Sequence, residues 1–256
     1  MIRGLISPLD LLALKIILTF LFGDKLFIAA LQKTTLVDFP GKVACIVFLV
    51  NCNFKCKFCY NEELTSFASF KKGKRPLMHE EEIFSFLTTH RKMLDGVVIT
   101  GGEPTISPGL LEFMQKIKEM GLLVKLDTNG TRPDVVKKVI DEKLADYFAM
   151  DIKAPLEKYH EITQVKLDPE KIKESIKLIT SSKIPHEFRT TLYPSLTTQD
   201  LIIMAKLIPG EKYFLQHFQN KKVLDSPSRK LKAKPDEQVK EIVAAIREIV
   251  DVKVRE

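Results

Sequence analysis

Three of the four cysteines in this 256-residue chain fall within eight positions, Cys52-Asn53-Phe54-Lys55-Cys56-Lys57-Phe58-Cys59. A disulfide framework scatters its cysteines through a short secreted chain. Clustering of this kind in a long chain points instead to metal binding in a reducing compartment. Thiolates are the usual protein ligands of iron–sulfur clusters, and a [4Fe–4S] cube held by three of them keeps one iron open for a substrate. Structural zinc is the competing use of such thiols, and it requires four closed ligands. Cys45, the remaining cysteine, sits among Val43, Ala44, Ile46 and Val47 and reads as a free buried thiol. His79 would be a zinc donor only from a distance and without paired spacing.

Further chemistry-bearing residues recur in short runs. Two consecutive glycines in Thr100-Gly101-Gly102-Glu103-Pro104 allow a sharp turn and a close backbone approach to a ligand. Asp127-Thr128-Asn129-Gly130 reads either as a tight turn presenting polar side chains to a sugar or as a plain strand-to-helix turn. Asp151 and Lys153 share one side of an extended segment by period two. Lys153 could pair with a ligand carboxylate or with Asp151. Arg189, inside an apolar run, needs an anionic partner because an unpaired buried charge is costly. Either a ligand carboxylate or a nearby Asp or Glu would serve. Gln216-His217-Phe218-Gln219 adds a polar stretch near the end of the chain, with His217 the candidate contact. His79, His90, His160 and His186 read as ordinary surface histidines.

The cysteine spacing and the Gly-Gly-Glu-Pro run resemble the radical S-adenosylmethionine superfamily. That resemblance implies a [4Fe–4S] cluster on Cys52, Cys56 and Cys59, with the open iron binding the amino and carboxylate groups of S-adenosylmethionine. One electron then breaks the sulfonium C–S bond to give methionine and a 5′-deoxyadenosyl radical. It also implies that Phe58 lies near the adenine and that Gly101, Gly102 and Glu103 bind the methionine amino end. Tyr60, Asp127, Thr128, Asn129, Asp151, Lys153, Arg189 and His217 complete the expected cofactor contacts.

Leu31–Lys42, with its Asp38-Phe39-Pro40-Gly41 turn, is similar to the segment before the cluster strand in activating enzymes of glycyl-radical proteins. Activators of anaerobic ribonucleotide reductase resemble it most. The implied reaction removes a backbone glycine hydrogen from a partner glycyl-radical enzyme. The implied electron source is a low-potential donor such as ferredoxin or flavodoxin. Where many such activators carry His after the third cysteine, this chain has Tyr60. No cysteine is left for a second cluster, so the resemblance is to the single-cluster kind. Two other readings stand beside it. One is a radical enzyme acting on a small molecule such as a deazapurine precursor; the other is a zinc-stabilised binding module without enzymatic activity.

These residues must be positioned by alternating strands and helices. Strands are expected at 42–50, 96–100, 122–127, 147–151, 186–193 and 213–217 from their apolar, β-branched runs. Helices are expected at 80–92, 108–120, 132–142, 169–181, 198–207 and 236–250. About six β/α units in succession argue for a parallel sheet with helical crossovers, shaped as a partial (β/α)6 barrel. Each chemistry-bearing run then follows a strand's C-terminal end, the rim where barrel folds build active sites. The Lys-rich stretch 220–235 lacks apolar periodicity and reads as a surface loop.

Apolar residues make up 45% of the chain and charged residues 29%, which suits a globular domain with a sizeable core. The net charge of +7 fits either general solubility or an acidic partner. Nucleic acid is not expected, because aromatic and basic residues do not interleave. Residues 1–25 form an apolar extension broken by Pro8, Asp10 and Lys15, short of the ~20 apolar residues of a membrane span. That extension is expected to stand apart from a catalytic domain at 26–256, in a cytoplasmic protein.

Overall fold

The computed structural model describes residues 26–72, 76–220 and 223–255. The extension at 1–25 therefore lies outside the described residues. Eight strands form one sheet in chain order: β1 (Ile28–Thr35), β2 (Ala44–Leu49), β3 (Gly96–Gly101), β4 (Leu123–Thr128), β5 (Tyr147–Asp151), β6 (His186–Thr191), β7 (Lys212–Gln216) and β8 (Asp251–Arg255). β1 runs antiparallel to β2, and every later neighbour is parallel. The first and last strands are not paired to each other, so the barrel is open.

The six expected strands are β2 to β7. The sequence reading missed both edges. β1 is short of apolar alternation, with Gln32, Lys33 and Thr34 exposed. β8 is an edge strand with only partial burial, so it carries little hydrophobic signal. The cysteine loop thus follows the second strand in chain order and the first parallel one.

Eight helices are described: α1 (Phe67–Lys72), α2 (Glu80–His90), α3 (Leu110–Glu119), α4 (Pro133–Asp141), α5 (Tyr159–Thr163), α6 (Pro169–Ser181), α7 (Thr198–Ala205) and α8 (Asp236–Ile246). Their starts follow local chemistry. Thr197 accepts from the Asp200 amide and the Asp200 side chain answers at the Thr197 amide, a capping box that opens α7. Asp168 and Pro169 open α6 in the same spirit. No helix among the described residues is long and apolar enough to cross a membrane.

Two cores lie on the two faces of the sheet. Outward side chains such as Val47, Ile99, Leu126, Phe148 and Phe188 meet the apolar stripes of the helices, including Ile83, Phe113, Val139 and Ile179. Each such side chain, fully buried, contributes roughly 1.5–3 kcal/mol. The inner face carries a smaller plug of Phe39, Ala44, Ile46, Val98 and Tyr147. Phe39, from the turn between β1 and β2, reaches this plug because Thr35 and Asp38 close that turn with a hydrogen bond. Above the plug, inward positions become charged and form the floor of the site.

Residues 223–235 of the expected surface loop are mostly exposed or half-buried but are anchored at three points. Val223 and Ser228 are fully buried, residues Pro227–Lys230 form a 3-10 turn, and the Lys234 ammonium donates to the Pro194 carbonyl at 3.1 Å. The segment is anchored by a few side chains rather than by an apolar periodicity, which explains why the pattern did not show it.

Candidate active site

The loop Cys52–Tyr60 has a defined shape because three neighbours hold its backbone. The amides of Lys55 and Lys57 donate to the carbonyls of Thr163 and Ile162 at the end of α5, at 2.9 and 3.0 Å. On its other side, the amides of Leu224 and Asp225 donate to the carbonyls of Cys59 and Lys57, at 3.0 and 3.4 Å. The Cys52 amide donates to the Thr65 carbonyl at 3.1 Å. From the β4 loop, Asn129 donates to Asn53 Oδ1 at 2.8 Å, and Asn53 donates to Thr131 Oγ1 at 2.6 Å. Beneath the loop, Phe58, Tyr193 and Phe218 form an aromatic row with centroid separations of 5.9 and 5.4 Å.

Cys52, Cys56 and Cys59 line one cavity of about 330 Å3. None is in a disulfide. Burial pushes the thiols of Cys52 and Cys56 up to about 12, and it raises that of Cys59 as well. All three are therefore neutral at ordinary pH, and binding a metal centre would release their protons. Cys45 stays apart, wholly buried in β2 with its thiol likewise pushed up to about 12 by burial. His79 is the N-cap of α2, where its backbone amide donates to Glu82 at 2.8 Å; it is not among the cavity residues. Among the described residues, no three His, Cys, Asp or Glu side chains are placed to hold a single metal ion. Three thiols lining one cavity, with no closed set of donors for a single ion among the described residues, fit an iron–sulfur cluster better than structural zinc.

The opposite wall comes from the β3 and β4 loops. Gly101 has φ +119°, and any Cβ there would strike the Leu49 backbone. A Cβ on Gly102 would strike the Asn51 carbonyl. Two bare residues therefore let β3 close onto the start of the cysteine loop, where the amides of Gly102 and Glu103 donate to the carbonyls of Leu49 and Asn51 at 2.8 and 2.7 Å.

Glu103 is 1% exposed and has no cation partner in its hydrogen-bond set. Its carboxylate accepts from the Thr105 amide and hydroxyl at 3.1 and 2.5 Å, from the Thr128 hydroxyl at 2.7 Å and from the Asn129 amide at 2.7 Å. Burial raises its pKa, and the four donors pull it back. The side chain of Glu103 is thus a brace between the β3 and β4 loops. Of the residues read from the sequence as ones for a sugar, Thr128 directs its hydroxyl into this brace, whereas Asn129 gives it a backbone amide and sends its side chain to Asn53 and Thr131.

The floor is a line of five charges on β4, β5, β6 and the residues that follow β5. Lys125 meets Asp127 at 2.7 Å, Arg189 meets Asp127 at 3.0 Å and Asp151 at 2.9 Å, and Lys153 meets Asp151 at 3.0 Å. The partners expected for Arg189 and Lys153 are therefore rim carboxylates. Burial alone would raise both Asp residues; the Arg189 guanidinium, with Lys125 beside Asp127 and Lys153 beside Asp151, holds both below the usual carboxylate range. Burial would also lower Lys153 and Arg189, but their carboxylate partners raise both. Of these three cations Lys153 and Arg189 line the cavity, whereas Lys125 lies buried behind Asp127. Lys153 also lies 5.5 Å from the centre of the Phe58 ring.

All fifteen residues singled out from the sequence line this one cavity: the three cysteines, Phe58, Tyr60, Gly101, Gly102, Glu103, Asp127, Thr128, Asn129, Asp151, Lys153, Arg189 and His217. The Tyr60 hydroxyl donates to the His217 carbonyl at 3.4 Å and accepts from the Gln219 amide at 2.8 Å, tying the cysteine loop to the residues after β7. The sequence reading missed the braces Asn53, Thr131 and Tyr159, whose hydroxyl accepts from the Lys153 amide at 3.1 Å, and the lining residue Thr191. Asn53 sits inside the cysteine motif and could have been noticed there. The others had no pattern to mark them. His186 opens β6 and pairs with Glu211 at 2.9 Å, so it is a packed residue and not a surface one.

The sequence pattern of the Radical SAM superfamily matches residues 46–208. A Methanocaldococcus jannaschii protein named as a candidate glycyl-radical enzyme activating enzyme is 33% identical over 234 residues, 89% of this chain and 94% of the relative. The 7-carboxy-7-deazaguanine synthase of Clostridium acetobutylicum is 30% identical over 116 residues, 45% of this chain and 49% of that enzyme. The solved structure of Streptococcus suis SuiB bound to S-adenosylmethionine superposes with a TM-score of 0.59 at 14% identity, covering 81% of this chain and 48% of SuiB, and shows a shared fold.

Proposed function

This chain belongs to the radical S-adenosylmethionine superfamily, and from that premise we propose that it is the activating enzyme of a glycyl-radical protein. Enzymes of this superfamily work with a [4Fe–4S] cluster and S-adenosylmethionine. The observation that carries the cluster assignment is the convergence of Cys52, Cys56 and Cys59 on one cavity wall. For the activator assignment it is the similarity to the Methanocaldococcus protein along nearly the whole of both chains. The deazaguanine synthase matches less than half of this chain, which favours the activator over the small-molecule reading.

When bound, the cluster supplies one electron that divides S-adenosylmethionine into methionine and a 5′-deoxyadenosyl radical able to take a hydrogen atom from glycine. The protein's part is to bind and orient. Cys52, Cys56 and Cys59 are the cluster ligands. Lys153 and Arg189, the cations that line the cavity, are the groups for the methionine carboxylate. The bare backbone of Gly101-Gly102 lets the amino end of the ligand come close, while Phe58 and the aromatic row beneath it give the adenine an apolar neighbour. No protein acid or base is required, since the step on glycine moves a hydrogen atom. The barrel's open side admits a protein segment. A partner such as an anaerobic ribonucleotide reductase fits this reading, as does a reducing cytoplasmic setting with a ferredoxin or flavodoxin donor.

The test is anaerobic reconstitution, followed by electron paramagnetic resonance of the reduced protein with and without S-adenosylmethionine, and then addition of a glycyl-radical protein. Expected are about four irons and four sulfides per chain, a cluster signal that changes with S-adenosylmethionine, and a glycine-centred doublet on the partner. Zinc without sulfide, or a cluster indifferent to S-adenosylmethionine, would refute the cluster assignment. Deoxyadenosine release with a deazapurine precursor but with no glycyl-radical partner would favour the rival.

A further inference from the structure

Most polar side chains that line the cavity are consumed by protein bonds, but a few are not. Among the described cavity residues, the side chains of Asn61, Thr100, Thr191, Gln216, His217 and Gln219 make no hydrogen bond with the protein. Thr191 is the most buried of them, at 8% exposure. No wholly enclosed side-chain nitrogen or oxygen among the described residues lacks a partner, so the Thr191 hydroxyl reaches the cavity. A nearly buried hydroxyl with no protein partner is costly unless something in the cavity bonds it.

The strands explain its position. Thr190 and Thr191 point to opposite faces of β6. Thr190 is bonded to the Ile152 carbonyl and the Tyr213 hydroxyl, both at 2.6 Å, whereas Thr191 lies on the cavity side, two positions beyond Arg189. Gln216 is its direct neighbour on β7. Both backbones are held there: the Leu192 amide donates to the Gln216 carbonyl at 2.8 Å, and the His217 amide to the Arg255 carbonyl at 3.3 Å. A hydroxyl and a carboxamide thus stand side by side on fixed strands. Beyond β7 comes β8, the free edge of the sheet. The pair therefore lies between the charged floor and the barrel's open side.

The chemistry of the pair is that of a neutral amide's complement. A carboxamide offers an acceptor and two donors, and a hydroxyl offers either. The cofactor's charged ends are already provided for by Gly101-Gly102, Lys153 and Arg189, and Thr191 and Gln216 have no part in that work. A glycine has no side chain to grip, so selecting one requires bonds to the backbone around it. We propose that Thr191 and Gln216 clamp the backbone amides of the glycine-bearing segment of the substrate protein and fix which residue is presented. The inference rests on the activator reading made above and extends it to the residues that choose the substrate atom.

The test uses the reconstituted holoenzyme with S-adenosylmethionine and a short capped peptide of alanine and serine around one α-deuterated glycine. Peptide binding is read by calorimetry. Turnover is read by mass spectrometry of 5′-deoxyadenosine: one Cα–D bond breaks, the deuterium joins the 5′ carbon, and the unpaired electron stays on glycine. One neutral hydrogen bond is worth roughly 2- to 12-fold in affinity. Thr191→Val and Gln216→Met keep the shape and remove the polar group, and each should raise the peptide Kd and KM by about that factor. Thr191→Ser, which keeps the hydroxyl, should bind the peptide as the unaltered protein does. S-adenosylmethionine affinity and the cluster signal should stay unchanged in all three.

Peptide binding indifferent to Thr191→Val and Gln216→Met would overturn the clamp. So would an equal loss of S-adenosylmethionine affinity, which would give the pair to the cofactor, or a loss in the serine variant equal to that in the valine one. A peptide that binds through the pair but yields no deuterium would sink the activator reading and leave the peptide-binding site standing. Deuterium transfer with a KM untouched by the variants would do the reverse.

Discussion

Replacing Arg189 by Met removes the one cation shared by both rim carboxylates, and the consequence can be worked from the geometry. Asp127 would keep Lys125 at 2.7 Å and Asp151 would keep Lys153 at 3.0 Å. Removing one partner from a buried ion pair costs about 3–5 kcal/mol. Because each carboxylate retains a lysine, the low end applies, about 3 kcal/mol. The side chains involved are 13–24% exposed, so solvent screening removes little of this. For a chain of this size that corresponds to a fall in Tm of roughly 6–12 °C.

The sign of the pH dependence follows from the two depressed carboxylates. In the native protein their folded pKa values lie below the unfolded ones, so their stabilisation is complete above about pH 4–5 and is lost on further acidification. Without Arg189 the same carboxylates can take up a proton while folded, and the variant loses less as the pH falls. The stability gap between the two proteins should therefore be widest near pH 7 and narrow toward pH 4. Urea unfolding of the apoprotein, followed by circular dichroism at several pH values, measures this. A gap below about 1 kcal/mol at pH 7, or one that stays constant or widens on acidification, would refute the shared role given to Arg189.

Three other outcomes follow from the same structure. Cys52→Ala, Cys56→Ala and Cys59→Ala should each abolish cluster assembly as read by iron and sulfide content, whereas Cys45→Ala, altering a thiol buried elsewhere in β2, should retain it. Gly102→Ala forces a methyl group onto the Asn51 carbonyl and should destabilise the apoprotein by about 1–3 kcal/mol, seen as a lowered thermal midpoint. Tyr60→Phe removes the hydroxyl that joins the cysteine loop to Gln219 while keeping the ring; about 1 kcal/mol of ordering is lost, so S-adenosylmethionine affinity in the reconstituted enzyme should weaken several-fold with no change in cluster content.

Much of this site was readable because its residues are unusual in type or placed at strand ends. Clustered thiols, a double glycine and a buried arginine each break the local pattern of a buried strand, so each stands out against its neighbours. What the sequence hid were contacts between ordinary residues. Asn53, Thr131 and Thr65 look like loop residues anywhere, and only the fold reveals that they brace the cysteine loop. The edge strands were hidden for a different reason. Both β1 and β8 are half-solvated, so neither shows the apolar run that marked β2 to β7. The 223–235 segment lies at the surface as its polarity suggests, and its anchors Val223, Ser228 and Lys234 did not show because they act singly and not as a periodic face.

Being at the site and touching the ligand also prove to be separable. Glu103, Thr128 and Asn129 were read as ligand contacts, yet each uses its side-chain oxygens or amide within the protein. Asp127 and Asp151 are likewise occupied by cations. Their shared effect is to fix two loops and a line of charge before any cofactor arrives. A cavity built this way leaves for a ligand the three thiols and the close approach that the side-chain-free Gly101-Gly102 allows. In the proposed reading the thiols, once deprotonated, hold the cluster and the glycines let the ligand's amino end approach, while the braces fix the two loops that carry them.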